Sequence, residues 1–259
     1  MITSSSNQQV KKLIALYKKS KERKKENVFI VEGIKMFKEA PRDWVKQVYV
    51  SEDFHNDIEK RDLYKDYQYE VLSNSVFKSV CDTITPQGII ALIKIPKYTL
   101  DDMLVGDKTQ LLILESIQDP GNLGTMVRSG EGAGTTGIIM NKTTVDIFNT
   151  KTIRSTMGSI YRMPFVIVDD LQEVIKELKE KKVNLFAAHL KGIQSYDEKD
   201  YTKACGFFIG NEGNGLSDEI ANLADDYIKI PMQGKVESLN AAISATLLMY
   251  EANRQRRNK

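Results

Sequence analysis

Apolar positions in the first part of the chain change between a helical and a strand-like period, which predicts a mixed α/β architecture. In residues 8–25 they recur at three- and four-residue spacing, as on one face of a helix. The runs "NVFIVEG", "WVKQVYVSE", "YEVLSN" and "QGIIALIKI" are short and rich in β-branched or aromatic residues, as in strands. We therefore expect a small layered α/β domain at 1–96. The polar, turn-forming stretch that follows indicates a linker at 97–108.

The remainder of the chain, 109–259, repeats the alternation with longer elements. Strands are predicted at 110–116, 136–140, 164–168, 183–188, 204–210 and 226–230. Helices are predicted at 122–133, 149–158, 170–182, 216–224 and 238–255. Strands this apolar, separated by helices, favour a mostly parallel sheet with helices on both faces. Ligands of such sheets bind beyond the carboxyl ends of the strands.

Composition narrows the class of protein. The chain is 41% hydrophobic and 28% charged, as in ordinary globular proteins, and its apolar runs are too short to span a membrane. The N-terminus lacks the apolar core of a signal peptide. Two cysteines, Cys81 and Cys205, and two histidines show no metal-ligand spacing. We expect two buried thiols, a reducing cytoplasmic location and no metal site.

Positive charge is concentrated near the N-terminus. The first 25 residues carry eight Lys or Arg and one acidic residue, most densely in "YKKSKERKKEN". Such a run is a candidate surface for the phosphates of a nucleic acid. It is also typical of a solvated helix face, and charge alone favours that second interpretation.

Three glycine-rich stretches follow predicted strands. The first, "DPGNLGTMVRSGE", turns into a helix that we expect Asn122 to cap, with Arg128 further along it. The second is "FFIGNEGNGLSDEI". The third, "IPMQGKVESLNAAIS", leads into a long helix for which Ser238 is the expected cap. That helix is apolar nearly all round, so it packs in the core or against another subunit, and its basic tail "RQRRNK" is expected to be exposed.

Each stretch also has an ordinary structural interpretation. In the first, Arg128 would be a surface arginine on an amphipathic helix; the second would be a long surface loop; in the third, Ser238 would be a helix cap and nothing more. A dinucleotide site is disfavoured, because the glycines of 132–137 come after a helix and lead into a strand, the reverse of the required order. A Rossmann-type methyltransferase or dehydrogenase would also need an acidic residue at the end of its second strand, and "GIIMNKTT" supplies none.

Taken together, in this order and spacing, "NLGTMVR", "FFIGNEGNGLS" and "IPMQGKVESLNAAISATLLMYEANRQ" resemble the three signature motifs of the SpoU/TrmH RNA 2′-O-methyltransferases of the SPOUT superfamily. The resemblance covers about 110–255. The stretches "VFIVEGIKMFKEA" and "TPQGIIALI" resemble the family's N-terminal substrate-binding domain, an α/β/α sandwich. The resemblance implies an S-adenosylmethionine-dependent enzyme with a deep trefoil knot, active as a homodimer, without a metal.

The resemblance also implies a set of site residues. The polar site would consist of Asn122, Arg128, Glu212, Ser238 and Asn240, and the cofactor contacts would be Gly210, Ile230, Met232 and Leu239. Because a guanidinium keeps its proton, we expect Arg128 to act electrostatically on a phosphate and on the 2′-oxygen rather than as a base. Asn122 and Asn240 would orient Arg128 and the ribose, Ser238 would support a loop, and Glu212 would position Arg128 or pair across the dimer.

In this light we interpret the N-terminal lysines as RNA contacts: Lys18, Lys19, Lys24 and Lys25. A 2′-hydroxyl excludes DNA as substrate. The extra N-terminal domain favours large-subunit ribosomal RNA over transfer RNA. The alternatives are a transfer-RNA enzyme and a non-catalytic RNA-binding or ribosome-assembly protein on the same scaffold. The sequence identifies neither the nucleotide nor the assembly state of the substrate.

Overall fold

The computed structural model describes residues 1–257, which form two compact units. The first consists of Met1–Lys97 together with Asp146–Tyr161, and the second of Tyr98–Val145 together with Arg162–Lys259. The chain thus returns to the first unit after it has begun the second. The boundaries of these units differ from those of the domains expected at 1–96 and 109–259. The expected domains remain a prediction.

The first unit is built on a four-stranded sheet. Its strands are β1 (Val28–Glu32), β2 (Val45–Ser51), β3 (Tyr69–Leu72) and β4 (Ile89–Lys94), in the order β1-β4-β2-β3. β4 is antiparallel to both neighbours and β2 is parallel to β3. Its helices are α1 (Gln8–Lys18), α2 (Ser20–Glu26), α3 (Ile34–Glu39), α4 (Glu52–Asn56), α5 (Ile58–Arg61) and α6 (Asn74–Val80). All four predicted strands are confirmed.

The helix expected over 8–25 is interrupted at Lys19. Lys19 has an extended backbone, so α1 ends and α2 begins on either side of it. The apolar stripe of α1 packs into the core of this unit through Val10, Leu13 and Leu16. The interruption lets α2 take its own direction, and Arg23 of α2 is buried with 4% exposure.

The second unit is built on a seven-stranded sheet whose neighbouring strands are all parallel, as expected. Its strands are β5 (Gln110–Leu114), β6 (Gly137–Asn141), β7 (Phe165–Val168), β8 (Asn184–Ala188), β9 (Gln194–Ser195), β10 (Cys205–Ile209) and β11 (Asp226–Lys229). Their order is β7-β6-β5-β10-β8-β11-β9. Strand β9, only two residues long, was not predicted, because so short an element has no period.

Five further helices follow: α7 (Pro120–Ala133), α8 (Thr150–Thr156), α9 (Leu171–Glu180), α10 (Asp218–Ala221) and α11 (Ala241–Arg257). Four belong to the second unit, and α11 packs along α7 and on β10 and β5. The core of this unit is formed by buried side chains such as Leu111, Ile113 and Phe208. The mixed α/β fold with a large parallel sheet is therefore confirmed.

Helix α8 belongs to the first unit, within the returning segment Asp146–Tyr161. The buried Arg23 donates hydrogen bonds to the carbonyls of Leu16 and Tyr17 and forms an ion pair with Asp146. Phe148 stacks on Phe29 with ring centroids 4.9 Å apart. The returning segment is thus part of the core of this unit.

Two expectations about single groups are corrected. Cys205 is buried, but Cys81 is only partly so, and both thiols are free. The C-terminal tail "RQRRNK" was expected to be exposed, and Arg254 and Arg257 are; Asn258 and Lys259 lie outside the described residues. Arg256, however, is partly buried and donates to the carbonyls of Tyr201, Lys108, Thr109 and Lys203. The basic composition of the tail gives no sign that one of its arginines satisfies several loop carbonyls.

None of the helices formed by residues 1–257 has both the length and the apolar character needed to cross a membrane. The same residues contain no group of three or more His, Cys, Asp or Glu side chains arranged to hold a metal ion.

Candidate active site

The three glycine-rich stretches lie at the carboxyl edge of the seven-stranded sheet. Residues 115–119 follow β5 and lead into α7, residues 210–217 follow β10 and lead into α10, and residues 230–240 follow β11 and lead into α11. β5 and β10 are neighbouring parallel strands, so their carboxyl ends meet at this edge. β10 and β11 are both neighbours of β8, which at about 4.8 Å per strand places their ends roughly 10 Å apart.

Helix α7 begins one turn earlier than the expected cap. Asp119 is the cap: its carboxylate accepts a hydrogen bond from the Asn122 N–H at 2.8 Å, and Pro120 occupies the first helical position. The prediction that Asn122 caps this helix is therefore wrong. Because Asp119 takes that role, the side-chain amide of Asn122 is left to face the other two stretches.

A chain of hydrogen bonds connects the three stretches through their side chains. Asn122 Nδ2 donates to Glu212 Oε1 at 3.0 Å, and Asn240 Nδ2 donates to Asn122 Oδ1 at 2.9 Å. Residues separated by 90 and 118 positions in the sequence are thus brought together. Three of the five polar residues implied by the resemblance form one connected group.

The Glu212 carboxylate lies over the beginning of the first stretch. It also accepts hydrogen bonds from the backbone N–H groups of Gln118, at 2.9 Å, and Asp119, at 3.0 Å. Burial raises the pKa of Glu212, but the hydrogen bonds from Asn122, Gln118 and Asp119 outweigh burial and hold that pKa below its usual value. Glu212 is therefore a fixed negative charge at neutral pH.

Asn240 has a second role at the start of α11. Its Oδ1 accepts hydrogen bonds from the N–H groups of Ala242, at 2.9 Å, and Ile243, at 3.3 Å. Asn240 is therefore the cap of this helix, and the expectation that Ser238 caps it is wrong. Ser238 lies exposed in the preceding loop and makes no hydrogen bond within residues 1–257.

Arg128 lies apart from this group. It is six residues beyond Asn122, which corresponds to about 9 Å along the helix and a rotation to another face. Its side chain is exposed, and no hydrogen-bond or ion-pair partner for it occurs in residues 1–257. Within one chain, then, Asn122 is hydrogen-bonded to both Asn240 and Glu212, and none of the three is bonded to Arg128 in residues 1–257.

The surface around Arg128 continues onto α11. Gly132, one turn further along α7, faces Tyr250: a Cβ on Gly132 would lie 2.9 Å from the Tyr250 hydroxyl oxygen. Tyr250 and Ile243 are 45% and 50% exposed, large fractions for apolar side chains on a helix that otherwise packs in the core. The helix expected to be buried nearly all round thus leaves an apolar strip open beside Arg128.

The residues implied as cofactor contacts lie at the same edge of the sheet. Gly210 directly follows β10, Ile230 directly follows β11, and Met232 and Leu239 are partly buried in the loop before α11. Gly210 admits no side chain, because a Cβ there would lie 2.1 Å from the carbonyl carbon of Gly215. The backbone of residues 215 and 216 therefore packs directly on residue 210.

The lysines expected to contact RNA lie at the junction of α1 and α2, as Lys18 and Lys19 do, or in the last turn of α2, as Lys24 and Lys25 do. Lys18, Lys19, Lys24 and Lys25 are all exposed, and none has an ion-pair partner in the described part of the chain. The basic run is not uniform, since Arg23 in its middle is buried. Its charge pattern alone could not separate the buried arginine from the exposed lysines.

Comparison with known proteins identifies the class to which this fold and site belong. Residues 109–250 match the SpoU rRNA Methylase family, and residues 7–91 match the MRM3-like substrate binding domain. The chain belongs to the SpoU rRNA methylase family, as the three motifs predicted, and the expected methyltransferase class is confirmed.

Among individual proteins, the chain is 34% identical to a 23S rRNA (guanosine(2553)-2'-O)-methyltransferase of Bacillus subtilis, over 96% of this chain and 97% of that protein. Its structure is similar to that of the SpoU methyltransferase AviRb from Streptomyces viridochromogenes in complex with AdoMet, with a TM-score of 0.89, 26% identity and coverage of 96% and 98% of the two chains. It is also similar to an AdoMet-bound rRNA methyltransferase from Sinorhizobium meliloti, with a TM-score of 0.86, 29% identity and coverage of 98% and 97%.

Proposed function

We propose that this protein transfers a methyl group from S-adenosylmethionine to a ribose 2′-hydroxyl of large-subunit ribosomal RNA. The observation that carries the proposal is the hydrogen-bonded group of Glu212, Asn122 and Asn240, which joins all three motif stretches at the ligand-binding edge of the sheet. The family match and the relatives that act on ribosomal RNA support it. A protein that only binds RNA has no need of this group.

The residues at the edge of the sheet fit the proposed donor. Ile230, Met232 and Leu239 are apolar side chains that stay partly open, as expected of a surface that receives the apolar parts of a nucleoside. The glycine-rich backbone of 210–215 adds N–H and C=O groups that can bond to a base edge. When bound, S-adenosylmethionine supplies an electrophilic methyl group on a sulfonium.

The polar residues have two kinds of role in this proposal. Glu212 fixes the Asn122 side chain and the β5–α7 loop, so that Asn122 and Asn240 form a rigid polar wall for the ribose. Arg128 supplies the positive charge: it binds a neighbouring phosphate and favours alkoxide character on the 2′-oxygen as its proton leaves to phosphate or water. Ser238, exposed in its loop, is available to support the bound donor or RNA.

We propose that the site is completed in a homodimer. The strip of Ile243 and Tyr250 lies on the same surface as Arg128 and is apolar enough to be covered by a second copy. A partner subunit there would enclose Arg128 and bring it to a neighbouring site. The family resemblance further implies the trefoil knot and a cytoplasmic enzyme, and both belong to the proposal.

RNA contacts of the first unit are assigned to Lys18, Lys19, Lys24 and Lys25. Because none of these lysines forms an ion pair within residues 1–257, their charge is available to phosphates. The match of residues 7–91 to a substrate binding domain supports this assignment. It also supports ribosomal RNA over transfer RNA, since the ribosomal-RNA relatives align over nearly the whole chain.

Methyl transfer from labelled S-adenosylmethionine tests the proposal directly. The purified protein is incubated with 23S rRNA transcript, with large subunits and with bulk transfer RNA, and the labelled position is mapped as a 2′-O-methyl nucleotide. Deletion of the gene should remove one 2′-O-methylation from 23S rRNA. Donor binding without loss of any methylation, or label in transfer RNA alone, would contradict the ribosomal assignment, and absence of donor binding would favour a non-catalytic protein.

A further inference from the structure

Glu115, the first residue after β5, makes a two-pronged contact with the far end of the second motif stretch. Its Oε2 accepts a hydrogen bond from the Ser217 N–H at 2.8 Å, and its Oε1 accepts one from Ser217 Oγ at 2.7 Å. Ser217 is also the cap of α10, because its Oγ accepts a hydrogen bond from the Ile220 N–H. One carboxylate thus fixes both the backbone and the side chain of Ser217.

Ser217 closes a tight hairpin that starts at Gly210. Asn211 and Gly215 exchange backbone hydrogen bonds of 3.0 and 2.9 Å, so residues 211–215 form the hairpin itself. The backbone of 215 and 216 returns against Gly210 too closely for any side chain there. The position of Ser217 therefore determines where this backbone wall stands beside Gly210.

The two ends of the hairpin are held by different groups. At its beginning, Asn211 Nδ2 donates to the Ser116 carbonyl at 2.9 Å, and Glu212 binds the β5–α7 loop and Asn122. At its end, the contact runs from Ser217 to Glu115. The first set belongs to the polar group proposed to face the ribose. The second acts on the wall at Gly210, which is proposed to face the donor.

We propose that Glu115 is a positioning residue for the S-adenosylmethionine pocket: through Ser217 it holds the 215–216 backbone against Gly210 and so sets donor affinity. This inference rests on the proposed function. Glu115 touches neither the donor contacts nor Asn122, so it acts on donor binding and leaves the handling of RNA to the Glu212 group.

The test compares Glu115→Gln with the wild type in the full-length protein. An amide has the same size but no charge and only one acceptor oxygen, so the two charge-assisted hydrogen bonds from Ser217 to the carboxylate cannot both be kept. We expect the Kd and KM for S-adenosylmethionine to rise about tenfold, as for the loss of one hydrogen bond to a charged group. kcat at saturating donor and the KM for RNA should stay within about twofold, since the Glu212 group is untouched.

Two further variants separate positioning from general stability. Ser217→Ala keeps the N–H bond to Glu115 but removes the Oγ bond and the cap of α10, so it should raise the donor Kd at least as much as Glu115→Gln does. The rise in the donor Kd for the double variant should be smaller than the product of the two single rises. Asp225→Asn is the control: Asp225 likewise accepts a backbone N–H, that of Leu185, at 2.8 Å, but at the amino ends of the strands. It should lower thermal stability comparably and leave the donor Kd unchanged.

Wild-type donor affinity in Glu115→Gln, or an equal loss of affinity in Asp225→Asn, would overturn the positioning role. A loss of kcat or of RNA affinity with unchanged donor Kd would overturn it as well. Failure of the proposed function is distinguishable, because in that case the wild-type protein itself would neither bind S-adenosylmethionine nor methylate RNA.

Discussion

Glu212 and Arg128 have opposite surroundings, although the motifs assign both to one polar site. Glu212 is held by three N–H donors at 2.9 to 3.0 Å, whereas Arg128 extends from an exposed helix face without a partner in residues 1–257. A carboxylate fixed in this way is part of the preformed scaffold. An arginine left free is the group available to a substrate phosphate.

For Arg128→Ala we expect methyl transfer to fall at least about a hundredfold, the scale of losing one preorganised electrostatic contact. Donor binding should hardly change, because Arg128 lies on a different face from Asn122 and its neighbours. Single-turnover methylation and calorimetric donor titration measure the two effects. Lys181→Ala, which removes an exposed cation paired with Asp101, is the matched control and should react normally. Wild-type turnover by Arg128→Ala would remove this residue from the mechanism.

For Glu212 the lowered pKa predicts a pH-dependent contribution to stability. Because the folded-state pKa lies below the usual 4.5, the ionised carboxylate stabilises the fold above about pH 4.5, and this contribution is lost as the pH falls through the folded-state pKa. Glu212→Gln should therefore be less stable than the wild type at pH 7, with the difference shrinking towards pH 3. Thermal unfolding between pH 3 and 7 measures it; a difference that is constant across this range would contradict the assignment.

At the scale of elements, the sequence predicted every strand of four or more residues. The strands of the parallel sheet appear as short apolar runs, and those of the first unit as runs rich in β-branched or aromatic residues. It misplaced the caps at Asn122 and Ser238. Asp119, Asn122, Ser238 and Asn240 are all good capping types, and only the packed loops decide which of them meets the first free N–H groups. The motifs predicted the polar residues of the site. Which of these residues bond to one another depends on the order of the strands in the sheet, and no local sequence pattern contains that order.

The two short helices at the N-terminus carry the first element-scale prediction. Lys24→Gln with Lys25→Gln should weaken RNA binding and reduce the slope of log K against log salt by about 1.4, at roughly 0.7 per single-strand phosphate contact. Adding Lys18→Gln and Lys19→Gln should roughly double that reduction. Filter binding at several salt concentrations measures the slope.

The control for these lysines is Lys60→Gln with Lys65→Gln in the same unit. Lys60 and Lys65 are already paired with Asp57 and Asp62, so their loss should change the slope much less. Equal slopes for the two double variants would assign α1 and α2 to an ordinary solvated surface.

Helix α11 carries the second element-scale prediction. Ile243→Glu places a charge in the open apolar strip and should convert a homodimer to a monomer, with loss of methyl transfer because the partner no longer covers Arg128. Sedimentation velocity measures the mass. Ile58→Glu is the control, since Ile58 is also exposed, at 77%, but belongs to the first unit, whereas α7 and α11 belong to the second. A wild-type that sediments as a monomer would contradict the proposed dimer.

At the scale of the whole molecule, the division into units could not be predicted from the sequence. A boundary near residue 97 was indicated by turn-forming residues, but no local pattern in 146–161 assigns that segment to the first unit. Its assignment depends on long-range contacts of the buried Arg23 and of Phe29, which have no local signature.

The contribution of the segment 146–161 to the stability of the first unit can be measured through the Arg23–Asp146 ion pair. Asp146→Ala should destabilise the first unit by about 3–5 kcal/mol, because it leaves a buried guanidinium unpaired. Arg23→Met combined with Asp146→Ala should lower the free energy of unfolding less than Asp146→Ala alone does, since no buried charge remains. Trp44, the single tryptophan, lies in this unit 6.4 Å from the Tyr161 ring, so its fluorescence in urea reports the unit's unfolding. A double variant no more stable than Asp146→Ala would contradict the account.

The return of residues 146–161 to the first unit has a practical consequence for exchanging specificity between related enzymes. A chimera made by a single crossover near residue 97 would join one protein's N-terminal half-core to another's α8 and its aromatic partners. The grafted part would then be assembled from mismatched pieces. A transplant that keeps Phe29 with Phe148 and Arg23 with Asp146 needs two crossovers, and the second piece must travel inside the catalytic half of the gene.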